Sequence, residues 1–413
     1  MNKKEVLEIK RRLTKDGCTF TRMCGCYVNS SKEMVVKINQ NFLNLEEEEF
    51  YKYLEISKKV LSGTVGNNIL TLPFPTDEEQ PGGRQQFLLG LRQSELKNDD
   101  LLDRFYELII ENFDYVGNYL ILLFHDNYDV MTKTSDNNKL DESEEVFEYL
   151  LCAICPVTLS KPGLGYREDE NTIGLRVRDW VVGLPENGFV FPAFNDRSTD
   201  IHSIMYYCKN PKDPNAAFME AGLGCESQRT ATEKKNAFTD IVRSSFSDEE
   251  KADVALTDLT QAIKDYVDEN TDETDSEAAP VVLDTQTFKA LMSESGFEES
   301  VSEKIEKKLE EEFTDNPPEG EYLVDSKILA IGEQKRRERE LREEVAELKQ
   351  EVEEKTIALE DATLTSKTYD VIVRVKPEKV VEIKSDTIDG RKCLIIPMDE
   401  DEFLNVNGKN TTF

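Results

Sequence analysis

Residues 188–208, GFVFPAFNDRSTDIHSIMYYC, contain two apolar runs separated by a polar segment. The runs GFVFPAF and DIHSIMYYC are strand-like, and the Pro, Asn and Asp residues between them are typical of turns. VFEYLLCAICPV, at 146–157, is a third strand-like run. Successive strands joined by turns of this kind predict an antiparallel β domain in residues 131–226.

Upstream, strand-like and helical patterns alternate. Val6, Ile9 and Leu13 recur at helical spacing, and the runs CTFTRMCGCYV and EMVVKINQNF that follow read as strands. Helical segments and the strands NILTLPFP and NYLILLFHDNYDV come next. The pattern predicts an N-terminal αβ unit in residues 1–130.

Downstream of residue 226, helical patterns prevail until the C-terminal 45 residues. The segment Asp268–Glu277 contains six acids in ten residues and few apolar side chains, which is typical of a disordered linker. The hairpin dipeptide DG at 389–390 lies among strand-like runs. The predicted segments are a helical pair at 227–267, an acidic linker at 268–280, a helical segment at 281–320, a long helix at 321–363 and a small β unit at 368–413. The predicted fold class is α+β.

The long helix has an apolar seam. Its members alternate by four and three residues, which is the spacing of a coiled coil of about three heptads, and Lys355 fills one seam position. They are Leu341, Val345, Leu348, Val352 and Leu359. A seam this short suits either a dimer or a back-folded hairpin, so we expect self-association or a protein partner through residues 321–362.

The composition limits the possible functions. The 413-residue chain has a formal net charge of -33, which disfavours general DNA or RNA binding. The first 26 residues are the exception, with seven Lys or Arg against three acids, and Arg11 and Arg12 are therefore candidate binding residues for the ribosome. No run of about 18 apolar residues and no signal-peptide pattern occurs, so we expect a cytoplasmic protein that does not enter the membrane. Eight dispersed cysteines favour reduced thiols over disulfides.

Four stretches together resemble one known family. They are CTFTRMCGCYV, KTSDNNKLDESEEVFEYLLCAICPVTLSKPGL, RDWVVGLPENGFVFPAFNDRSTDIHS, and YDVIVRVKP with IDGRKCLIIPMDEDE. The family is an uncharacterised group of bacterial proteins called domain of unknown function 4317, and the resemblance extends over nearly the whole chain. It implies an origin in anaerobic Gram-positive bacteria and implies no activity.

The chain has two histidines, each near an aspartate. Asp200 and His202 would point to the same face of a strand, whereas His125 and Asp126 would point to opposite faces. If the two strands are neighbours, His125, His202 and Asp200 could form a catalytic site or a metal-dependent hydrolase site. The alternative is a buried hydrogen-bond network, in which Asp196 and Arg197 fix a loop between strands.

Four cysteines could in principle form a zinc site. Cys152 and Cys155 have the C-x-x-C spacing, and Cys24 and Cys26 share one face of a strand. Because Cys155 precedes a proline inside an apolar run, the alternative is that these thiols behave as small buried hydrophobes. We expect no cofactor.

The stretch LPFPTDEEQPGGRQQFLLGLRQSE is similar to the middle domain of archaeal and eukaryotic peptide-chain release factors, and the similarity extends over residues 20–125. That domain has a Gly-Gly-Gln loop at the start of a helix, and Gly82, Gly83 and Gln85 would correspond to it. The resemblance implies peptidyl-tRNA hydrolysis by Gln85, but Arg84 interrupts the motif. The alternative is that the glycines only begin a helix.

We therefore predict a non-enzymatic cytoplasmic binding or scaffold protein that self-associates through a coiled coil. A ribosome-associated factor with a release-factor-like middle domain is the first alternative. A metal-dependent hydrolase is the second.

Overall fold

The computed structural model of the chain describes residues 1–133, 139–271, 280–313, 317–364, 373, 375, 377–398, 404–406 and 409–411. The chain forms two compact units, Met1–Glu333 and Gln334–Phe413. No helix among the described residues combines the length and the apolar character needed to cross a bilayer.

The first unit consists of strands interspersed with helices, followed by a helical segment. In chain order it contains α1 (Lys3–Arg12), β1 (Arg22–Val28), β2 (Met34–Asn41), α2 (Glu47–Val60), β3 (Ile69–Pro73), α3 (Arg84–Gln93), α4 (Asp99–Asn112), β4 (Asn118–Lys133), β5 (Lys139–Leu159), β6 (Leu164–Arg167), β7 (Thr172–Leu175), β8 (Trp180–Val182), β9 (Asn187–Phe191), β10 (Ala193–Asn195), β11 (Ser198–Asp200), β12 (Ser203–Cys208), α5 (Ala231–Arg243), α6 (Glu249–Asn270), α7 (Thr285–Glu294), α8 (Glu299–Phe313), α9 (Gly320–Leu323) and the beginning of α10 (Ser326–Leu364).

An eight-stranded antiparallel sheet organises the first unit. Its order is β2-β1-β4-β5-β9-β12-β3, and β8 pairs with the far end of β5. Alternate residues of the central strands enter different cores: Leu122 packs with α1 and α2, while Leu123 packs with α3 and α4. Both faces of the sheet are therefore covered by helices, which explains why its central strands are apolar throughout.

The predicted boundary at residue 130 falls within this sheet. Strands β1, β3 and β4 come from the segment predicted as an αβ unit, and β5, β9 and β12 come from the predicted β domain, yet all pair in one sheet. The physical reason is that β4 and β5 form one long hairpin across the boundary, so neither half could leave that edge unpaired. The α+β fold class is confirmed.

Helices α5 to α9 pack around a separate core. Phe238, Leu259, Phe288 and Leu309 are among its buried side chains. Thr230 caps α5 in a capping box with Glu233. The segments predicted at 227–267 and 281–320 thus share one core, and residues 272–279 of the predicted linker lie outside the described residues.

The second unit contains most of α10 and four short strands. These are β13 (Lys384–Ile388), β14 (Arg391–Ile395), β15 (Leu404–Val406) and β16 (Lys409–Thr411). Asp389 and Gly390 both have positive φ between the paired strands β13 and β14, which confirms the predicted hairpin turn. The run YDVIVRVKP, which belongs to the predicted β unit, falls almost entirely outside the described residues.

Candidate functional site

The polar segment between β9 and β12 folds as a tight hairpin. Strands β10 and β11 pair, and Asp196 and Arg197 occupy the turn with φ values of 50° and 56°. Two consecutive left-handed residues give the type I′ turn that suits a two-residue hairpin loop. The asparagine, aspartate and arginine of this segment are therefore explained first by backbone geometry and then by their contacts.

Helix α1 holds this turn through two glutamates. A carboxylate oxygen of Glu5 accepts a hydrogen bond from the Asp196 backbone N–H at 2.7 Å. The carboxylate of Glu8 accepts from Nε of Arg197 at 3.2 Å and from its Nη2 at 3.0 Å. A two-point pairing of arginine with carboxylate fixes the orientation of both groups. Asp196 and Arg197 thus attach the hairpin to the first helix.

Asp126 forms a second polar contact with α1. Its carboxylate is fully buried, lies 3.2 Å from Nη1 of Arg12, and accepts hydrogen bonds from the hydroxyls of Thr19 and Tyr149. The guanidinium of Arg12 also lies 4.0 Å from the ring centroid of Tyr128. A buried carboxylate needs this number of partners whether or not it reacts.

His125 lies on the other face of β4, as the sequence predicts. It is fully buried, with Nδ1 2.8 Å from the hydroxyl of Thr21 and Nε2 2.9 Å from Oε1 of Glu148. Arg92 approaches the same carboxylate, with its Nε 3.7 Å from Oε2. The order hydroxyl, imidazole, carboxylate is also that of an activated nucleophile. None of these residues lines any of four surface clefts of 420 to 590 Å³, so the geometry supports a satisfied buried histidine.

His202 lies in the turn between β11 and β12. Its backbone N–H donates to Asp200, and its Nδ1 lies 2.7 Å from Oε1 of Glu79. Hydrogen bonding to Glu79 raises the pKa of His202 above its usual value, and the negative charges of Glu79 and Asp200 act in the same direction. His202 is thus an exposed partner of the loop that precedes α3.

The two histidines do not form a common site. Strands β5 and β9 lie between β4 and β12, so the condition that the two strands are neighbours is not met. Three strand spacings correspond to a separation of about 14 Å between β4 and β12. A hydrolase that uses His125 and His202 together therefore has no support in this geometry.

The four candidate zinc ligands are dispersed in the two cores. Cys152 packs on the α3 side of the sheet and Cys155 on the α1 side, because residues three apart on a strand point to opposite faces. Leu123 separates Cys24 from Cys152 in the strand register. Burial raises the pKa of Cys24 and that of Cys26 to about 11. Within the parts of the chain that the structure describes, no group of three or more His, Cys, Asp or Glu side chains is arranged to hold a metal ion.

The Gly-Gly-Arg-Gln segment begins α3. Gly82 has a φ of 99°, and a Cβ on Gly83 would lie 2.1 Å from the carbonyl oxygen of Glu78, so the turn requires both glycines. The side chain of Gln85 is buried and its Nε2 donates to the Ile201 carbonyl at 3.1 Å. The release-factor resemblance implies a glutamine presented to a substrate, and the position of Gln85 differs from that.

The basic N-terminal residues have different surroundings. Arg12 is engaged with Asp126, whereas Arg11 is exposed. Burial lowers the pKa of Lys10, and the charges of Lys59 and Lys58 lower it further. The ends of α1 and α2 therefore form a joint basic surface. The sequence alone could not show that α2 contributes to it.

The seam of α10 is exposed where the structure describes its side chains. Leu341, Val345, Leu348 and Val352 are 49 to 64% exposed. The side chain of Leu359 lies outside the described part. These four large apolar side chains form one exposed stripe on a part of the helix that is otherwise mainly charged.

Sequence reasoning missed most of the partners of the candidate residues. Thr21 and Glu148 contact His125, Glu79 contacts His202, and Glu5 and Glu8 contact the hairpin turn. Only the strand alternation carries a signal: Glu148 is the charged residue within VFEYLLCAICPV, and a charge inside a buried strand requires a partner.

A family model described as "Domain of unknown function (DUF4317)" matches residues 1–409. No curated protein matches the chain.

Proposed function

The chain belongs to the family of the domain of unknown function DUF4317, and from that starting point we propose that it is a non-enzymatic cytoplasmic binding or scaffold protein that self-associates through α10. The observation that carries the proposal is the exposed seam of Leu341, Val345, Leu348 and Val352. Contiguous apolar stripes on a polar surface mark sites of protein association.

The seam residues favour a parallel coiled coil of two helices. The four and three spacing assigns Leu341 and Leu348 to position d and Val345 and Val352 to position a of the heptad. β-Branched residues at a with leucine at d favour parallel two-stranded coiled coils. A second copy of this chain would provide the same residues at the same level, so the seam is complementary to itself.

The flanking charges support the same orientation. Arg342 and Lys349 occupy e positions, and Glu344 and Glu351 occupy g positions. In a parallel pair, Glu344 of one copy faces Lys349 of the other, whereas an antiparallel pair would place acid beside acid and base beside base. Each such pair contributes only about 0.5 kcal/mol, but the sign differs between the two orientations.

The mass of the native chain tests this proposal. We expect sedimentation equilibrium to give twice the chain mass of 47.3 kDa. Leu348→Lys should weaken the association at least tenfold, because it places a charge in the seam. Gln350→Lys adds the same charge on the outer face of the helix and should leave the mass unchanged. An association of the native chain that is no tighter than that of the Leu348→Lys variant would refute the coiled coil.

Cross-linking tests the orientation. In a Cys393→Ser background, Leu341→Cys and Val352→Cys should each form a disulfide-linked dimer, because a parallel pair brings identical positions together. An antiparallel pair would cross-link at no more than one of the two positions.

A second candidate function is docking to the ribosome, supported by the basic surface of Lys10, Arg11, Lys58 and Lys59. Phosphate contacts of this kind are sensitive to salt. We expect co-sedimentation with ribosomes that weakens as salt rises and weakens further in Lys58→Glu. The control Lys52→Glu alters a lysine that pairs with Glu55 on the same helix, and it should have a smaller effect. Ribosome binding that changes neither with salt nor in Lys58→Glu would contradict this candidate.

A further inference from the structure

Residues 157–182 form a two-stranded ribbon that continues beyond the main sheet. At its base, Val157 to Leu159 of β5 pair with β8. Farther out, β6 pairs with β7, and backbone hydrogen bonds from Ser160 to Asp179 and from Arg176 to Gly163 connect the two regions. We call this ribbon the arm.

One face of the outer arm is entirely apolar. Leu164 is paired with Leu175, and Tyr166 is paired with Ile173, so the four side chains lie on the same face. They are 61 to 74% exposed. The opposite face has two glycines and Arg167, whose guanidinium donates to the Leu175 carbonyl and pairs with Glu170. Charge is thus confined to one face and apolar surface to the other.

The apolar surface continues toward the base. Val177 and Val181 lie on the same side of the continuous register and are also exposed, whereas Leu159, Trp180 and Val182 face the opposite side. With the four side chains of the outer face, the two valines present on the order of 700 Å² of apolar surface, close to the ~800 Å² that each partner contributes to a stable protein interface. A two-stranded ribbon with nothing packed on its apolar face is marginally stable in water.

We infer that the apolar face of the arm packs against the same face of the arm of a second copy. A twofold axis places identical surfaces together, and the outer part of this face, at Leu164, Tyr166, Ile173 and Leu175, holds no charge that the contact would bury. Two ribbons stacked about 10 Å apart form a small two-layer core of four strands.

The charge of the arm fits a contact between copies. Residues 157–182 contain four basic residues (Lys161, Arg167, Arg176, Arg178) and four acidic ones (Glu168, Asp169, Glu170, Asp179), which cancel. The chain as a whole has a net charge of -33. The arm is therefore a region where two strongly acidic copies approach without mutual repulsion.

A fluorescent reporter on the face tests the contact. Trp180 is the single tryptophan of the chain, so Tyr166→Trp combined with Trp180→Phe places one reporter at the centre of the apolar face. This reporter should emit at shorter wavelength and resist acrylamide quenching as the protein concentration rises. Emission typical of an exposed indole at every concentration up to 100 times that needed for the mass measurement would overturn the inference.

The matched substitutions are Ile173→Lys and Thr172→Lys, neighbours on β7 that face opposite sides of the arm. Both are measured in the full-length Leu348→Lys background, which removes the coiled coil. That background should still dimerise through the arm, Thr172→Lys should preserve the dimer, and Ile173→Lys should raise its dissociation constant at least tenfold. If Leu348→Lys alone is monomeric and the reporter stays exposed, the arm contact is refuted while the coiled coil stands.

Discussion

The guanidinium of Arg12 lies 3.2 Å from the fully buried carboxylate of Asp126, a residue 114 positions later in the chain. The pair joins the first helix to the middle of β4. Because Thr19 and Tyr149 donate to the same carboxylate, the first helix is held by a hydrogen-bond network in addition to apolar contacts.

Asp126→Asn should destabilise the first unit. An amide cannot accept from all of these donors, and it leaves Arg12 without its counter-charge, so we expect a loss of about 3 kcal/mol in the free energy of unfolding. Urea denaturation followed by circular dichroism measures the change. Asp129→Asn, an exposed position on the same strand, should change it by less than about 0.5 kcal/mol. Equal effects of the two substitutions would show that the network contributes nothing.

The pair of His202 and Glu79 should be visible in a pH titration. With two histidines in the chain, their ring protons are easily resolved by NMR. The pKa of His202 should lie above 6.5 and return toward 6.5 in Glu79→Gln. Since the folded pKa is the higher one, the stabilisation by this pair is fully present below pH 6.5 and is lost as pH rises through the folded pKa. An unchanged titration in Glu79→Gln would contradict the contact.

The thiols should differ sharply in reactivity. Seven of the eight cysteines are buried and Cys393 is partly exposed. Burial raises the pKa of Cys18 to about 11 and that of Cys208 to about 12, and the thiolate is the reactive form. At pH 8 we expect one rapidly reacting thiol per native chain with a disulfide reagent, and none in Cys393→Ser. Several fast thiols in Cys393→Ser would show that the cores are open to reagent.

Gln85 should contribute to the stability of the fold. Gln85→Leu removes the hydrogen bond from the buried Gln85 side chain to the Ile201 carbonyl and should lower the free energy of unfolding by about 1 to 2 kcal/mol. Gln93→Leu makes the same change at an exposed position of α3 and serves as the control. If Gln85→Leu leaves stability unchanged but weakens ribosome binding, this would favour the role of Gln85 that the release-factor resemblance implies over a purely structural role.

The sequence predicts local structure well and long-range pairing poorly. The periodicity of Val6, Ile9 and Leu13 predicts α1, and the dipeptide at 389–390 predicts its hairpin turn, because both depend on neighbouring residues. Strand order depends on residues that are far apart in the chain. Nothing in the sequence near His125 and His202 shows that β5 and β9 lie between them.

The same limit applies to the candidate site. Cys152 and Cys155 face opposite sides of the sheet because side chains alternate along a strand. This outcome could therefore have been predicted from the sequence. The contacts of Glu5 and Glu8 with the hairpin turn were not, since the partners are about 190 residues apart and no local pattern links them.

The contact of α1 with the turn at Asp196 and Arg197 also sets an order of events during synthesis. Glu5 leaves the ribosome 191 residues before its partner. At about 5 to 20 residues per second, the first helix waits on the order of 10 to 40 s for that partner. A nascent chain released before residue 200 would lack the contact between its first helix and this turn. The start of the chain thus reaches its final contacts only after most strands of the main sheet have been synthesised.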